Sequence, residues 1–175
     1  MMKMNNLSLI ASVDRNWGIG KDNKLLFPIK RDMAQFKELT TGNIVIMGRK
    51  TLDSLPDGKP LPDRINIVLT RKGNSTGNKD FKRDDVIVCH SVDELAGVVD
   101  TYPQRHPFVI GGSEIYRLIL PYCSAAYITR VNAVKSADTY MVNLDENPDW
   151  TLTEKSEEFT ENGISFTFCT YKQGH

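Results

Sequence analysis

The chain predicts an α/β fold, one domain over residues 1–175. It centres on a mixed, mostly parallel β-sheet of about eight strands, with a C-terminal antiparallel hairpin and about four flanking helices. Three observations point there. Short apolar, β-branched runs alternate with stretches of helical periodicity, the pattern of βαβ units. Near the C-terminus the pattern changes to residue-by-residue alternation around Asn162-Gly163, a strong hairpin signal. A length of 175 residues, 40% hydrophobic and 25% charged, suffices for one sizeable core.

The elements follow in order. Leu7–Val13 is apolar but short, and it runs directly into Asp14-Arg15, so it reads as a strand rather than a signal peptide. Residues 14–26 carry Gly18 and Gly20 and read as a loop able to move. Lys30–Thr40 is an amphipathic helix, followed by a strand over Asn43–Met47 and a helix over Lys50–Leu55. Arg64–Thr70 and Asp85–Cys89 are strands separated by the polar loop Lys72–Asp84. Ser91–Asp100 is a helix whose Ser91 and Glu94 form a near capping box. A strand at Pro107–Ile110 leads into a helix at Ser113–Leu120, stopped by Pro121. Ala125–Val131 is a further strand. Trp150–Phe159 and Ile164–Lys172 alternate around the Asn-Gly turn and make the sheet mixed.

Composition narrows the function. Lys+Arg and Asp+Glu are both 22, so a net charge of zero argues against a general nucleic-acid binder, while a local basic cluster stays compatible. No apolar run approaches the roughly 20 residues of a membrane span. Cys89, Cys123 and Cys169 are far apart and odd in number, and His90, His106 and His175 pair with no nearby ligand. No metal site and no disulfide framework is expected, which suits a reducing cytoplasm.

The most informative residue is Asp32. At about 100° per residue, Ile29, Met33, Phe36 and Leu39 share one helix face, and Asp32 falls among them. A carboxylate turned toward an apolar surface is costly unless paired, so a ligand is one reading. The other is the first turn itself, where the helix dipole and free N–H groups favour an acid.

Two glycine turns supply a second theme. Ile44–Met47 ends in Gly48-Arg49-Lys50-Thr51, and Phe108–Ile110 ends in Gly111-Gly112-Ser113-Glu114-Ile115-Tyr116. Each is a strand passing into a helix start, where N–H groups and the dipole suit an anion. A tight turn with exposed basic residues explains either one alone. Neither matches the six-residue dinucleotide fingerprint. At the same ends of neighbouring parallel strands, the pair would make a bed for a pyrophosphate. Leu69-Thr70-Arg71 ends another strand with a hydroxyl and a guanidinium fork, both suited to phosphate.

In order and spacing, Ile10-Ala11, Asn16–Gly20, Asp32–Lys37, Met47–Thr51, Pro60–Arg64, Val109–Tyr116 and Asp138-Thr139 resemble the dihydrofolate reductase family. The resemblance runs from about Leu7 to Tyr171. It implies NADPH-dependent reduction of 7,8-dihydrofolate to tetrahydrofolate in one-carbon metabolism, by a monomeric cytoplasmic enzyme with a small-molecule substrate and no nucleic-acid or membrane partner. It also implies that Asp32 is the catalytic carboxylate gripping the pterin edge, steadied by Thr129. Whether Asp32 or a water protonates N5 is left open. The ring slot would be lined by Ile10, Ala11, Leu25, Phe27, Met33, Phe36, Leu55, Leu61, Ile110 and Tyr116. Arg64, assisted by Lys37, would hold the glutamate tail.

On the cofactor side the resemblance places Gly48, Arg49, Lys50 and Thr51 at the phosphates. Thr70 and Arg71 lie by the 2′-phosphate, with Leu69 beside them and His90 at the adenosine end. Gly111, Gly112, Ser113, Glu114, Ile115 and Tyr116 run along the pyrophosphate and nicotinamide, with Ala11, Ile19, Gly20 and Ile110 beside them. A cis Gly111–Gly112 peptide and a lid formed by residues 14–26 are also implied. The chain departs from the family at Leu25-Leu26-Phe27, where Leu-Pro-Trp is common, because Phe27 has no indole N–H to hold a water. Two rival readings remain. One is a reductase of the same fold acting on another pterin or pyrimidine; the other is a non-catalytic nucleotide-binding module.

Overall fold

The computed structural model describes residues 6–71 and 83–174, so the expected loop Lys72–Asp84 lies outside the described residues except for Arg83 and Asp84. The first half contains β1 (Leu7–Val13), β2 (Gly18–Lys21), β3 (Lys24–Leu25), α1 (Lys30–Thr40), β4 (Ile44–Met47), α2 (Arg49–Ser54) and β5 (Ile65–Leu69). Then come β6 (Ile87–Cys89), α3 (Val92–Asp100), β7 (Pro107–Gly111), α4 (Ser113–Ile119) and β8 (Cys123–Val131). The C-terminal part holds β9 (Thr139–Tyr140), β10 (Trp150–Lys155), β11 (Phe159–Glu161) and β12 (Ile164–Gln173).

The main sheet has the order β10-β12-β8-β1-β7-β4-β5-β6, with β11 paired to β12. The run from β8 to β6 is parallel throughout. β12 lies antiparallel to β8, and β10 and β11 lie antiparallel to β12. The sheet is therefore mixed and mostly parallel, as expected.

Periodicity explains the layers. All four residues of β4 are buried, as a central parallel strand covered on both faces requires. Ile44 and Ile46 join Leu7, Leu9, Ile67, Leu69 and Val109 in one core cluster, with Leu95 and Val99 of α3 and Ile119 of α4. The alternate residues Val45, Met47 and Val68 pack in another cluster, with Leu52 of α2. Each such fully buried aliphatic side chain contributes roughly 1.5–3 kcal/mol. Helix α3 starts as its sequence suggests: the Ser91 side chain accepts from Glu94 N, and the Glu94 carboxylate accepts from His90 N.

Two expectations are corrected. Residues 14–26 are not simply loop: β2 pairs antiparallel with β3 and with β9, forming a small second sheet. Its strands are two to four residues long and partly glycine, too short to show a period. The expected strand Trp150–Phe159 is broken at Ser156, whose N–H donates to Phe168 O and whose hydroxyl accepts from Phe168 N. That exchange ends β10 and lets β11 start afresh. The final turn forms as expected, with positive φ at both Asn162 (51°) and Gly163 (79°).

Candidate active site

Strands β1, β4, β5, β6 and β7 run in the same direction, so their carboxyl ends gather on one edge of the sheet. That edge of a parallel sheet is where open α/β folds bind ligands. A cleft of about 2200 Å³ opens there. Its walls include Ala11, Ile19 and Gly20, then Gly48–Thr51, Leu69–Arg71, His90 and Ile110–Tyr116. These are all the positions named above for the cofactor.

The two glycine turns are joined directly, because Gly48 N–H donates to Gly111 O at 2.9 Å. A side chain at Gly48 would have its Cβ 3.0 Å from Ile115 Cγ1, tighter than side chains ordinarily pack, so Ile115 would have to shift to admit one. Gly111 has φ +131°, and the Gly111–Gly112 peptide is cis. Tyr116, in the first turns of α4, is buried, and its hydroxyl donates to Ile10 O at 2.6 Å. Burial pushes its phenol well above the ordinary value, and the nearby charge of Asp32 adds to the rise.

Arg49, Lys50 and Arg71 stand exposed on this wall, beside the hydroxyls of Thr51, Thr70 and Ser113. The donor set suits a phosphate-bearing nucleotide. His90 Nδ1 lies 3.0 Å from Thr70 O, and since a carbonyl only accepts, Nδ1 carries the proton in that contact.

Residues 14–26 border the cleft and are held at several points. The buried carboxylate of Asp14 accepts from the N–H groups of Asn16 and Gly18 at 2.8 Å and of Lys135 at 3.2 Å. Asp22 N–H donates to Asp138 Oδ2 at 2.9 Å, and Asn23 Nδ2 reaches Lys50 O at 3.0 Å. Sequence reasoning gave Asp14, Asn23 and Lys135 no role. The first had a local signal, an aspartate positioned to accept from backbone two residues on. The others act over distances that no local pattern shows.

Asp32 sits in the first turn of α1 and makes no cap to its own helix. Instead its Oδ1 accepts from Thr129 Oγ1 of β8 at 2.5 Å. Burial raises its pKa above 3.8, and the Thr129 hydrogen bond pulls the other way. Thr129 pairs with the cleft-lining Ser12 of β1, and the Asp32 charge acts on the cleft-lining Tyr116. The acid therefore stands next to the cofactor wall, although neither it nor Thr129 lines the cleft.

The structure distributes the other substrate positions unevenly. Ala11, Leu25, Ile110 and Tyr116 line the cleft, and Ile10 supplies the carbonyl for Tyr116. Leu55 and Leu61 pack in one cluster with Ile110. Met33 is 53% exposed although it shares the apolar side of α1 with buried Ile29. Arg64 Nη1 donates to Thr40 Oγ1 at the end of α1, and its Nε donates to Pro62 O. Thr40 in turn donates to Phe36 O, which ties Arg64 to the turn holding Phe36 and Lys37. The loop carrying Leu61 and Arg64 is clamped by the buried side chain of Asn66, which bonds Leu61 N, Leu61 O and Arg64 O. Sequence reasoning missed Thr40 and Asn66. Phe27 is buried with Leu26, Ile29, Val131 and Phe166, and Lys135 Nζ lies 4.5 Å over its ring.

A family model described as dihydrofolate reductase matches residues 6–173. Dihydrofolate reductase of Bacillus subtilis (strain 168) is 34% identical over 170 residues, covering 95% of this chain and 94% of that one. The protein of the same name from Staphylococcus haemolyticus is 33% identical, covering 95% of each. Among solved structures, dihydrofolate reductase from Enterococcus faecalis complexed with NADP(H) and RAB-propyl superposes with a TM-score of 0.82 at 28% identity over 100% of both chains. Sequence, fold and the carboxyl-edge cleft agree, and the chain belongs to the dihydrofolate reductase family.

Proposed function

We infer that this protein catalyses the NADPH-dependent reduction of 7,8-dihydrofolate to 5,6,7,8-tetrahydrofolate. The observation that carries the reading is a half-buried carboxylate, Asp32, held by Thr129 and near the cleft-lining Tyr116, beside a cleft whose wall suits a phosphorylated nucleotide. A nucleotide-binding module would not need that acid, and another pterin or pyrimidine would not need the tail site at Arg64.

The residues divide the work. Two carboxylate oxygens match a ring N–H and an adjacent exocyclic amino group as they would a guanidinium, so Asp32 holds and orients the pterin edge. NADPH, when bound, supplies the hydride that reaches C6. The adjoining N5 must gain a proton, and the raised proton affinity of Asp32 is the direction that a proton-relaying carboxylate requires. Met33, Phe36, Leu55, Leu61 and Ile110 provide apolar surface for the rings, and Met33 has exposed area available to a ligand. Arg64 presents a guanidinium already fixed by Thr40 and Pro62, so little ordering remains when it meets the glutamate tail. Arg49, Lys50, Thr51 and Ser113 hold the pyrophosphate, and Thr70 and Arg71 hold the 2′-phosphate. Residues 14–26, fastened at Asp14 and Asn23, exclude water from the reacting rings.

We also propose that the protein works as a monomer in the cytoplasm. One chain walls the whole cleft, and Cys89, Cys123 and Cys169 are buried free thiols. The test of the activity is direct: purified protein oxidises NADPH when dihydrofolate is added, and an antifolate stops it. NADPH oxidation indifferent to dihydrofolate would defeat this reading.

A further inference from the structure

Helix α1 begins without a cap of its own. Its N-cap residue is Ile29, whose side chain cannot accept a hydrogen bond, and Pro28 precedes it. The first N–H groups of any helix lack intrahelical partners. Here two of them are taken by a distant carboxylate. Lys30 N–H donates to Glu161 Oε2 at 2.8 Å, and Arg31 N–H points to Glu161 Oε1 at 3.3 Å. The next residue is Asp32.

We propose that Glu161 is a positioning residue for Asp32, capping α1 from the C-terminal hairpin. The hairpin reaches both anchors of the acid. Within it, Glu161 pairs with Ile164 and Phe159 with Phe166. Further along β12, Phe168 pairs across the sheet with Thr129, the donor to Asp32. The β11–β12 unit thus fixes the backbone ahead of Asp32 and the strand that holds its carboxylate. Two contacts seat the hairpin on the helix start. The Arg31 guanidinium lies 4.0 Å over the Phe159 ring, and Ile29 packs in one cluster with Phe166. A negative charge at this helix end is also favoured by the dipole.

The consequence is mechanical. An uncapped helix frays in its first turn, and that turn carries the acid. Glu161 acts through Asp32 and touches no reacting atom. The inference rests on the folate reading above, so its test includes a readout free of turnover.

Glu161→Ala and Glu161→Gln are compared with the wild type. Gln keeps an oxygen that can accept from Lys30 N–H. Glu161→Ala is expected to lower kcat/KM for dihydrofolate roughly tenfold, the scale of a lost cap, chiefly through KM. NADPH affinity stays within about twofold, and Glu161→Gln recovers most of the loss, as expected if an acceptor oxygen suffices. Amide exchange at Lys30 and Arg31 quickens in the Ala variant whether or not dihydrofolate is the substrate. Unchanged protection at those amides would overturn the cap. Kinetics like the wild type's, or losses shared equally by NADPH binding without Gln rescue, would overturn the positioning role. A wild type inert to dihydrofolate would instead overturn the functional reading, leaving the exchange result to judge the cap.

Discussion

Thr129 Oγ1 donates to Asp32 Oδ1 at 2.5 Å, joining α1 to β8 between residues 97 positions apart. The bond fixes the direction in which the carboxylate points. Burial makes the acid cling to a proton, and the hydroxyl partly offsets this. The balance between those two effects makes several outcomes predictable.

Thr129→Val keeps the volume and removes the donor. Asp32 then loses the contact that lowers its pKa, so the pH profile of kcat/KM moves to higher pH. A hydrogen bond to a charged group is worth about 1.5–3 kcal/mol, and since this one steadies the carboxylate in free and bound protein alike, dihydrofolate should bind more weakly by less than the corresponding roughly ten- to hundredfold. Steady-state kinetics across pH measures both.

Asp32→Asn should make the free protein more stable at neutral pH. The folded state raises the pKa of Asp32 above its ordinary 3.8, so between those values the native state holds a proton that the unfolded chain has released. Stability therefore falls as pH rises through that window, and the penalty is complete above it. Asn carries no charge and can still accept from Thr129. Its advantage in Tm over the wild type should be present at pH 7 and disappear below about 3.8, where both forms of residue 32 are neutral. Thermal melts at the two pH values check the sign.

Tyr116→Phe removes the buried donor to Ile10 O, a bond of 2.6 Å. The orphaned carbonyl should cost about 1–3 kcal/mol of stability. Denaturant titration measures it. A loss near zero would mean that water or a shifted neighbour satisfies Ile10.

Arg71→Ala should weaken NADPH more than NADH. A charge-assisted bond to the 2′-phosphate is worth about 1.5–3 kcal/mol, or about ten- to hundredfold in Kd. Equal losses for both cofactors would place the 2′-phosphate elsewhere on the cleft wall.

The legible parts of this chain were local ones. Gly48 and Gly111-Gly112 announce themselves because each closes an apolar run and opens a helix, and one edge of the sheet collects such turns. The Asn162-Gly163 turn was readable for the same reason. What escaped was made by pairs far apart in sequence. Gly18 finds Tyr140 and Asn23 finds Lys50, so residues 14–26 looked like loop. Thr40 and Asn66 read as ordinary polar residues until Arg64 and Leu61 came to rest on them. Phe27 was placed on the substrate side by resemblance, and its packing with Val131 and Phe166 beneath Lys135 was not readable from its sequence neighbours. Glu161 belonged to a turn in sequence and to a helix in space.

The central claim is that Asp32 makes this cleft a reductase of dihydrofolate. Measuring NADPH oxidation with saturating dihydrofolate at neutral pH, for wild type and Asp32→Asn together, tests it most directly. The account predicts dihydrofolate-dependent turnover by the wild type. It predicts a rate lower by orders of magnitude in the variant, with NADPH affinity retained. A folded Asp32→Asn protein that turns over within a few-fold of wild type would contradict it.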